Sequence, residues 1–479
     1  MTLLALLAML LPGLAWRVWL GKRGRDPVVA LAQIADVSLA VIILVAEIGF
    51  LFQVRFSAWI IGLLFALCTG LALAGLIRRK VQLPKDRLWQ LAVGLVLFAV
   101  VIAWRLYQAR DLLLPNWVDS QHHYLIIKVI LENGSLPATL APYLDQPFYY
   151  HYGFHATTAL FTALSGLPIG QAMLIFGQVL NATIALSIYA LGKTLWQDWR
   201  PAAAAALLAA FVTRMPAYYL SWGRYTLTTG MVLLPLALGL AIRLMKPPVH
   251  KPDTLTLGLL TAGVLLSHYF AGLLLAFFLV ILSVVFFLPR LKTLFTAVAQ
   301  SWRVGAGALL GLALAAPWLL RVTRYSSLST GVQSNLPASI SSALESPETA
   351  HYIWQLLGPA SNHWLLLPAA GGLIWALIRK ERVAFGIWTV LLALLTLPWS
   401  LTLRPFRPDH FAIVLFLPVT LYAGWLFWQI GRLAARWLRR RWTAAAFAGL
   451  CLAGFIIWSF PLSNDIVNPV TTLVTADDL

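Results

Sequence analysis

The sequence predicts an all-α integral membrane protein of about 14 transmembrane helices, on three observations. Of its 479 residues 60% are hydrophobic, only 11% are charged, and the mean hydropathy is +0.81. Long apolar runs recur from one end to the other. The basic residues gather between alternate runs. A soluble domain is about half apolar and a quarter charged, so this chain lacks the polar residues to cover a water-facing core. A soluble enzyme, a disordered chain and a disulfide scaffold are thereby excluded. Cys68 and Cys451 both lie inside apolar runs and supply neither bridges nor a metal–thiolate spacing.

A helix needs about 20 apolar residues to cross the hydrocarbon. Such runs lie near 3–20, 28–51, 57–77, 88–106, 171–192, 201–220, 226–244, 254–267, 270–288, 303–320, 362–378, 383–400, 408–430 and 443–462. The stretch 254–288 is too long for one helix and divides at Ser267-His268-Tyr269, where His268 is its only ionisable residue. The first run lacks a basic start and a small-residue cleavage site, so it is expected to be a retained helix rather than a signal peptide.

Charge orients these runs. With 21–27 in the cytoplasm, the cytoplasmic loops carry 24 Lys/Arg and the outer loops ten. This asymmetry accounts for the net charge of +18 as a topology signal, and not as a nucleic-acid surface. Both chain ends then face outward. No internal repeat is visible, which weakens an inverted-repeat transporter. The expected organisation is three N-terminal helices in 1–87 and a core in 88–430, with outer loops at 107–170 and 321–361. A last helix follows in 431–462, then an outer tail in 463–479, expected either to start a soluble domain or to stand without one.

Eight of the nine histidines fall outside: His122, His123, His151, His155, His268, His351, His363 and His410. The cytoplasmic loops are short, with no glycine-rich phosphate cradle. This speaks against an ATP-driven pump or a nucleotide-sugar enzyme on the inside. In 107–170, Asp119 opens a segment of helical periodicity (Tyr124, Ile127, Leu131) that Asn133-Gly134 stops, so an amphipathic surface helix is expected over 120–132. Asp119 reads either as the N-cap of that helix or as a catalytic carboxylate. His122 and His123 follow at +3 and +4 and, with Asp119 and His268, are the donors available to a divalent metal. Three residues within one turn rarely complete a metal site alone. Tyr149, Tyr150, His151 and His155 read either as substrate contacts or as interfacial residues.

Arg404 and Arg407 sit on the side the charge bias disfavours. They suit a lipid phosphate, with a pair between one of these arginines and Asp409 as the plain alternative. Arg214, Tyr218, Tyr219, Trp222 and Arg224 form a tip that would stack a sugar ring or belong to an aromatic belt. Asp36 and Glu47 are intramembrane acids on one helix face and the best handle for a transporter. The Ser-rich loop 321–361 is expected to be a mobile cover for the site. The Asn133-Gly134-Ser135 sequon would matter only in a eukaryotic secretory membrane.

The run Asp119…His122-His123…Gly134-Ser-Leu-Pro…Tyr149-Tyr150…Gly153-Phe-His155, in a long outer loop after an apolar span, resembles the first outer loop of the GT-C superfamily of membrane glycosyltransferases. That superfamily includes protein mannosyltransferases, aminoarabinose transferases and oligosaccharyltransferase catalytic subunits. The resemblance covers roughly 88–430. It implies a multi-pass cell-membrane enzyme that transfers sugar from a polyprenyl-phosphate donor to a glycan, lipid or protein acceptor on the outer face. Asp119 would match the first-loop acid, Arg404 and Arg407 the arginines that neutralise the departing phosphate, and His268 an outer-tip histidine. One departure stands out: the second outer loop, 214–225, holds no acidic residue and has no counterpart to the second metal-binding motif of some members. The competing readings are a transporter or flippase of an envelope glycan, and a non-catalytic scaffold.

Overall fold

A helix lies on every one of the fourteen apolar windows. The computed structural model describes the chain except residues 22–25, 80–84, 247, 334–346, 398–405 and 475–479. In order, the helices are α1 (Thr2–Met9), α2 (Leu11–Leu20), α3 (Pro27–Leu51), α4 (Ala58–Arg79), α5 (Lys85–Gln108), α6 (Val118–Asn133), α7 (Gly153–Ser165), α8 (Ile169–Trp196), α9 (Trp199–Phe211) and α10 (Arg214–Ala217). There follow α11 (Tyr225–Leu244), α12 (Pro252–Ser267), α13 (Tyr269–Phe287), α14 (Leu294–Gln333), α15 (Pro347–Leu357), α16 (Ala360–Ile378), α17 (Val383–Thr396), α18 (Pro408–Ala412), α19 (Phe416–Trp437) and α20 (Trp442–Asn464). No strand occurs among the described residues, where pairing is confined to an isolated bridge between Thr139 and Pro147.

Ten helices are long and apolar enough to cross a membrane, or eleven when α9 and the bent segment Arg214–Trp222 count as one span broken by 57°. The expectation of 14 also counted the shorter apolar helices α12 and α17, and divided the continuous run Tyr269–Ser326 in two. A 3-10 turn at Leu288–Thr293 makes that division. The break expected at Ser267-His268-Tyr269 is present: His268 is extended, and its Nδ1 accepts from the Phe270 N–H at 3.2 Å, so it caps α13.

Local chemistry explains the helix that matters most for positioning. Asp26 caps α3 by accepting from the Val28 and Val29 amides, with Pro27 at the first helical position. Along α3 the two intramembrane acids are both engaged. Asp36 accepts from the Ser187 hydroxyl at 3.1 Å. Glu47 Oε1 accepts from the Trp318 amide at 3.0 Å, and its Oε2 accepts from the Tyr152 hydroxyl at 3.3 Å. Pro317 disturbs the α14 ladder at that point, and Glu47 from another helix satisfies the neighbouring N–H.

Lipid tails are as apolar as Leu, so helix pairing in a membrane rests on close packing of small residues. Gly307 and Gly311 put such a face of α14 against α12. A Cβ on Gly311 would meet Thr261 Cβ at 2.4 Å, and one on Gly307 would meet Thr254 O at 3.0 Å.

The Ser-rich stretch 321–361 differs from the expected mobile loop in its described parts. α14 runs on through Gln333, and 347–357 forms α15. Helical propensity and the apolar positions of α15 (Ile353, Leu356) prevail there over the polar composition.

Candidate functional site

The site lies where α6, the start of α7, the turn before α11, the α12–α13 break and the start of α18 meet. Backbone strain marks its edge. Trp117 has φ +71° and ψ 153°, a region few residues other than Gly adopt, and costs about 1–3 kcal/mol. The Thr471 carbonyl holds it by accepting from the Trp117 N–H at 3.0 Å, while Asn116 Nδ2 donates to Thr471 Oγ1 at 3.1 Å. Helix α6 then starts at Val118 and ends at left-handed Gly134, as the Asn-Gly stop predicts.

Asp119 is not the N-cap. That place belongs to Trp117, without a side-chain cap bond, and Asp119 sits in the first turn. There its charge suits the helix dipole, and the residue lines a cavity. The cavity holds about 270 Å³ and is walled by Asp119, His122, Leu140, Phe148, Tyr149 and Tyr150, among others.

His122 and His123 point differently: His122 is exposed and His123 buried. His123 Nε2 lies 3.1 Å from the Gly223 carbonyl, which can only accept. The Nε2 therefore carries the proton, and Nδ1 accepts from His155 Nε2–H at 2.9 Å. Gly223 must be glycine here. Its φ is +59°, and a Cβ would lie 2.3 Å from Ser120 Oγ and 2.9 Å from Asn116 O.

Four histidines thus gather behind Tyr150. The His123 and His155 rings are 4.9 Å apart, those of His151 and His268 4.6 Å, and Tyr150 lies 3.7 Å from His151. Both ring nitrogens of His151 and the Nδ1 of His155 are buried without a hydrogen-bond partner among the described residues. Burial, followed by neighbouring positive charge, pulls His123 down to about 4 and His268 down to about 3. Burial likewise holds His151 and His155 well below the ordinary histidine range. At neutral pH the cluster is uncharged.

Arg224 is the cation of this cleft. It stands within electrostatic reach of His123, His268, Tyr150 and Tyr352. Its Nε is buried without a partner, and its guanidinium lies 5.7 Å from the Trp222 ring centroid. Tyr150 is within reach of both Arg224 and Asp119.

Arg407 is spoken for: its Nε and Nη2 donate to the two Asp409 oxygens at 3.0 and 2.9 Å, the plain alternative anticipated above. His410 lies beside it, with Nδ1 accepting from the Arg407 amide at 3.3 Å and its ring 5.8 Å from Phe270. Arg404 lies outside the described residues.

Sequence reasoning missed what holds the loop. From α14, Trp318 Nε1 donates to Tyr150 O at 3.1 Å. Arg321 Nε donates to Phe148 O at 2.8 Å, and its Nη2 to Ala138 O at 2.5 Å. Tyr149 stacks on Tyr325, 6.0 Å away. Only the placement of Arg321 next to an apolar span hinted at such a role.

Among the described residues no group of three or more His, Cys, Asp or Glu side chains is placed to hold a metal ion. The donors expected to share one are divided instead. His123 turns to His155 and Gly223, and His268 Nδ1 is taken by the Phe270 amide. Asp119 and His122 remain at the cavity. Among the described residues the four expected donors are not gathered into one set.

No curated protein matches this chain in sequence. Among solved structures it is similar to the oligosaccharyltransferase of Archaeoglobus fulgidus. The form in complex with Zn and sulfate has a TM-score of 0.52 at 13% identity, over 77% of this chain and 53% of that one. The form tethered to an acceptor peptide containing the NVT sequon has 0.52 at 12% identity, over 77% and 55%. The apo form gives the same TM-score. This chain spans about half the length of those structures, and at such identity the likeness is one of fold alone, a polytopic bundle of helices. A family model matches residues 6–335, more than half of the chain, and by that match the protein belongs to a family of unknown function, DUF6541.

Proposed function

We propose that the protein is a glycosyltransferase of hexosyltransferase type. It moves a sugar from a polyprenyl-phosphate donor to an acceptor on the extracytoplasmic face of the cell membrane. One observation carries this reading: the carboxylate Asp119, which lines the cavity, and Arg224, which has no acid partner among the described residues, both lie within electrostatic reach of Tyr150 in a cleft whose histidines are neutral. Asp119 accepts the proton of the acceptor hydroxyl as its oxygen bonds to the anomeric carbon. The bond from that carbon to the phosphate oxygen breaks with its electron pair, and the developing charge on the leaving phosphate falls to Arg224. Arg forks match phosphate oxygens bidentately. The GT-C-type fold supports the reaction class, and the positive-inside bias supports the outward face.

The test is a glycolipid and glycan profile of a deletion strain complemented with wild type, Asp119→Asn or Arg224→Gln at matched protein levels. Loss of a glycosylated product with accumulation of its lipid-phosphate sugar on the outer leaflet is expected for both variants. Accumulation on the inner leaflet, or wild-type behaviour of Asp119→Asn, would sink the reading and turn attention to transport. Against transport, both intramembrane acids are bonded to other helices: Asp36 to Ser187, and Glu47 to Trp318 and Tyr152.

A further inference from the structure

A second cavity, of about 560 Å³, lies beside the histidine cleft. Its walls come from the break after α9 (Val212, Arg214, Tyr218), the α15–α16 turn (Trp354, His363) and the segment 459–469. Tyr352 on α15 lies within electrostatic reach of residues of both regions, Asp409, Arg407 and Arg224 as well as Tyr218.

Side chains outside the cavity's open face lock the walls together. Asn362 Oδ1 accepts from the Arg214 amide at 2.6 Å, and its Nδ2 donates to Val212 O at 2.8 Å. Ser221 Oγ donates to Ile466 O at 2.8 Å and accepts from the Asn468 amide at 3.0 Å. Ser459 bonds Ser361 at 2.8 Å, and Gln108 Nε2 donates to Ser463 O at 2.7 Å. The pocket is therefore built in advance of any ligand.

What it presents is aromatic and polar at once. Trp354 stacks on His363 with centroids 3.8 Å apart, yet 49% of its surface stays exposed. The Arg214 guanidinium lies 3.8 Å from the Tyr218 ring centroid and spends only Nη1 on the Gln355 carbonyl, at 2.8 Å. Its Nε and Nη2 make no hydrogen bond among the described residues. Asp465, 87% exposed at its side chain and paired through Oδ1 with Arg110 at 3.8 Å, adds a carboxylate to the wall.

Flat rings for the C–H face of a pyranose, with planar donors and a carboxylate for its hydroxyls, match a saccharide. The size falls in the range of small-molecule sites. A peptide acceptor commonly adds to a sheet edge, and the described residues offer none.

We propose that this pocket binds the acceptor, and that the acceptor is a glycan. The assignment as acceptor rests on the transfer reaction proposed above; the binding itself does not. The full chain in lipid nanodiscs would be titrated with fluorescently labelled linear trisaccharides of mannose, glucose and galactose, and with a labelled sequon hexapeptide. At least one trisaccharide is expected to bind. Its affinity should fall tenfold or more in Trp354→Ala and Arg214→Gln, and persist in Trp354→Phe and in Asp119→Asn. Melting temperatures of Trp354→Ala and Arg214→Gln close to wild type in the same nanodiscs show that the pocket variants fold. If no trisaccharide binds, if binding ignores both substitutions, or if only the peptide binds, the proposal is overturned. Absence of donor hydrolysis in wild type would count against the transfer reaction, while trisaccharide binding would still decide the pocket.

Discussion

Two arginines near the cleft have opposite fates, and the difference yields a prediction. Arg407 shares a bidentate pair with Asp409, whereas Arg224 has a buried Nε with no partner among the described residues. A charge already neutralised has little left for a leaving phosphate. Arg224→Gln is therefore expected to lower kcat by about 10²–10³, the usual loss when one stabilising donor of a developing anion is removed. Arg407→Gln should cost far less turnover. Steady-state kinetics of donor hydrolysis on both variants checks this, and equal losses would remove Arg224 from the mechanism. The histidines make a pH prediction. In the folded protein His123 sits at about 4 and His268 at about 3, both below the unfolded value near 6.5. The unfolded chain then binds more protons between those limits, so stability is full above about 6.5 and declines as pH falls toward 4 and then 3. Melting temperatures in nanodiscs should drop over that window, and replacement of His123 by Gln should flatten the part down to about 4.

At the scale of elements, the question is what holds the first long loop over the cleft. α14 does so by its Trp318 and Arg321 bonds to the carbonyls of Ala138, Phe148 and Tyr150. α14 is in turn held by Glu47 of α3. A carboxamide keeps an oxygen for the Trp318 amide, so Glu47→Gln should be close to wild type in both fold and activity. Glu47→Ala leaves that N–H buried and unpaired, which costs about 1–3 kcal/mol. It should also loosen the loop, seen as faster hydrogen exchange at 138–150. A transport-coupling acid would behave otherwise: Glu47→Gln alone would abolish function. Membrane periodicity pointed to Glu47 as an unusual residue, but its partners lie 105 and 271 positions away in sequence, beyond what any local pattern encodes.

For the whole molecule, the charge asymmetry fixes an expected topology that accessibility can test. In a chain whose Cys68 and Cys451 are replaced by Ser, Tyr143→Cys should react with a membrane-impermeant thiol reagent in intact cells, and Arg439→Cys only after permeabilisation. Both positions are exposed, and the reverse pattern would put the cleft in the cytoplasm. The sequence by itself determined the class, the place of nearly every helix, the break at His268 and the stop at Gly134. These follow from apolar run length, one ionisable residue and one left-handed turn, all of them local or compositional. It also brought Asp119, Tyr149, Tyr150, His151, His155, Trp222 and Arg224 to notice, because charged and aromatic side chains are scarce in so apolar a chain. Only the tertiary structure decided which of them meet. His122 and His123 are neighbours in sequence, yet one ends exposed and the other locked between His155 and Gly223. Asp409, two residues from Arg407, was already in view as its partner, whereas only packing left Arg224 without an acid partner among the described residues. The physical reason is range: periodicity and caps act within a turn or two of helix, whereas a charge is paired or left open by whatever distant segment the fold brings against it.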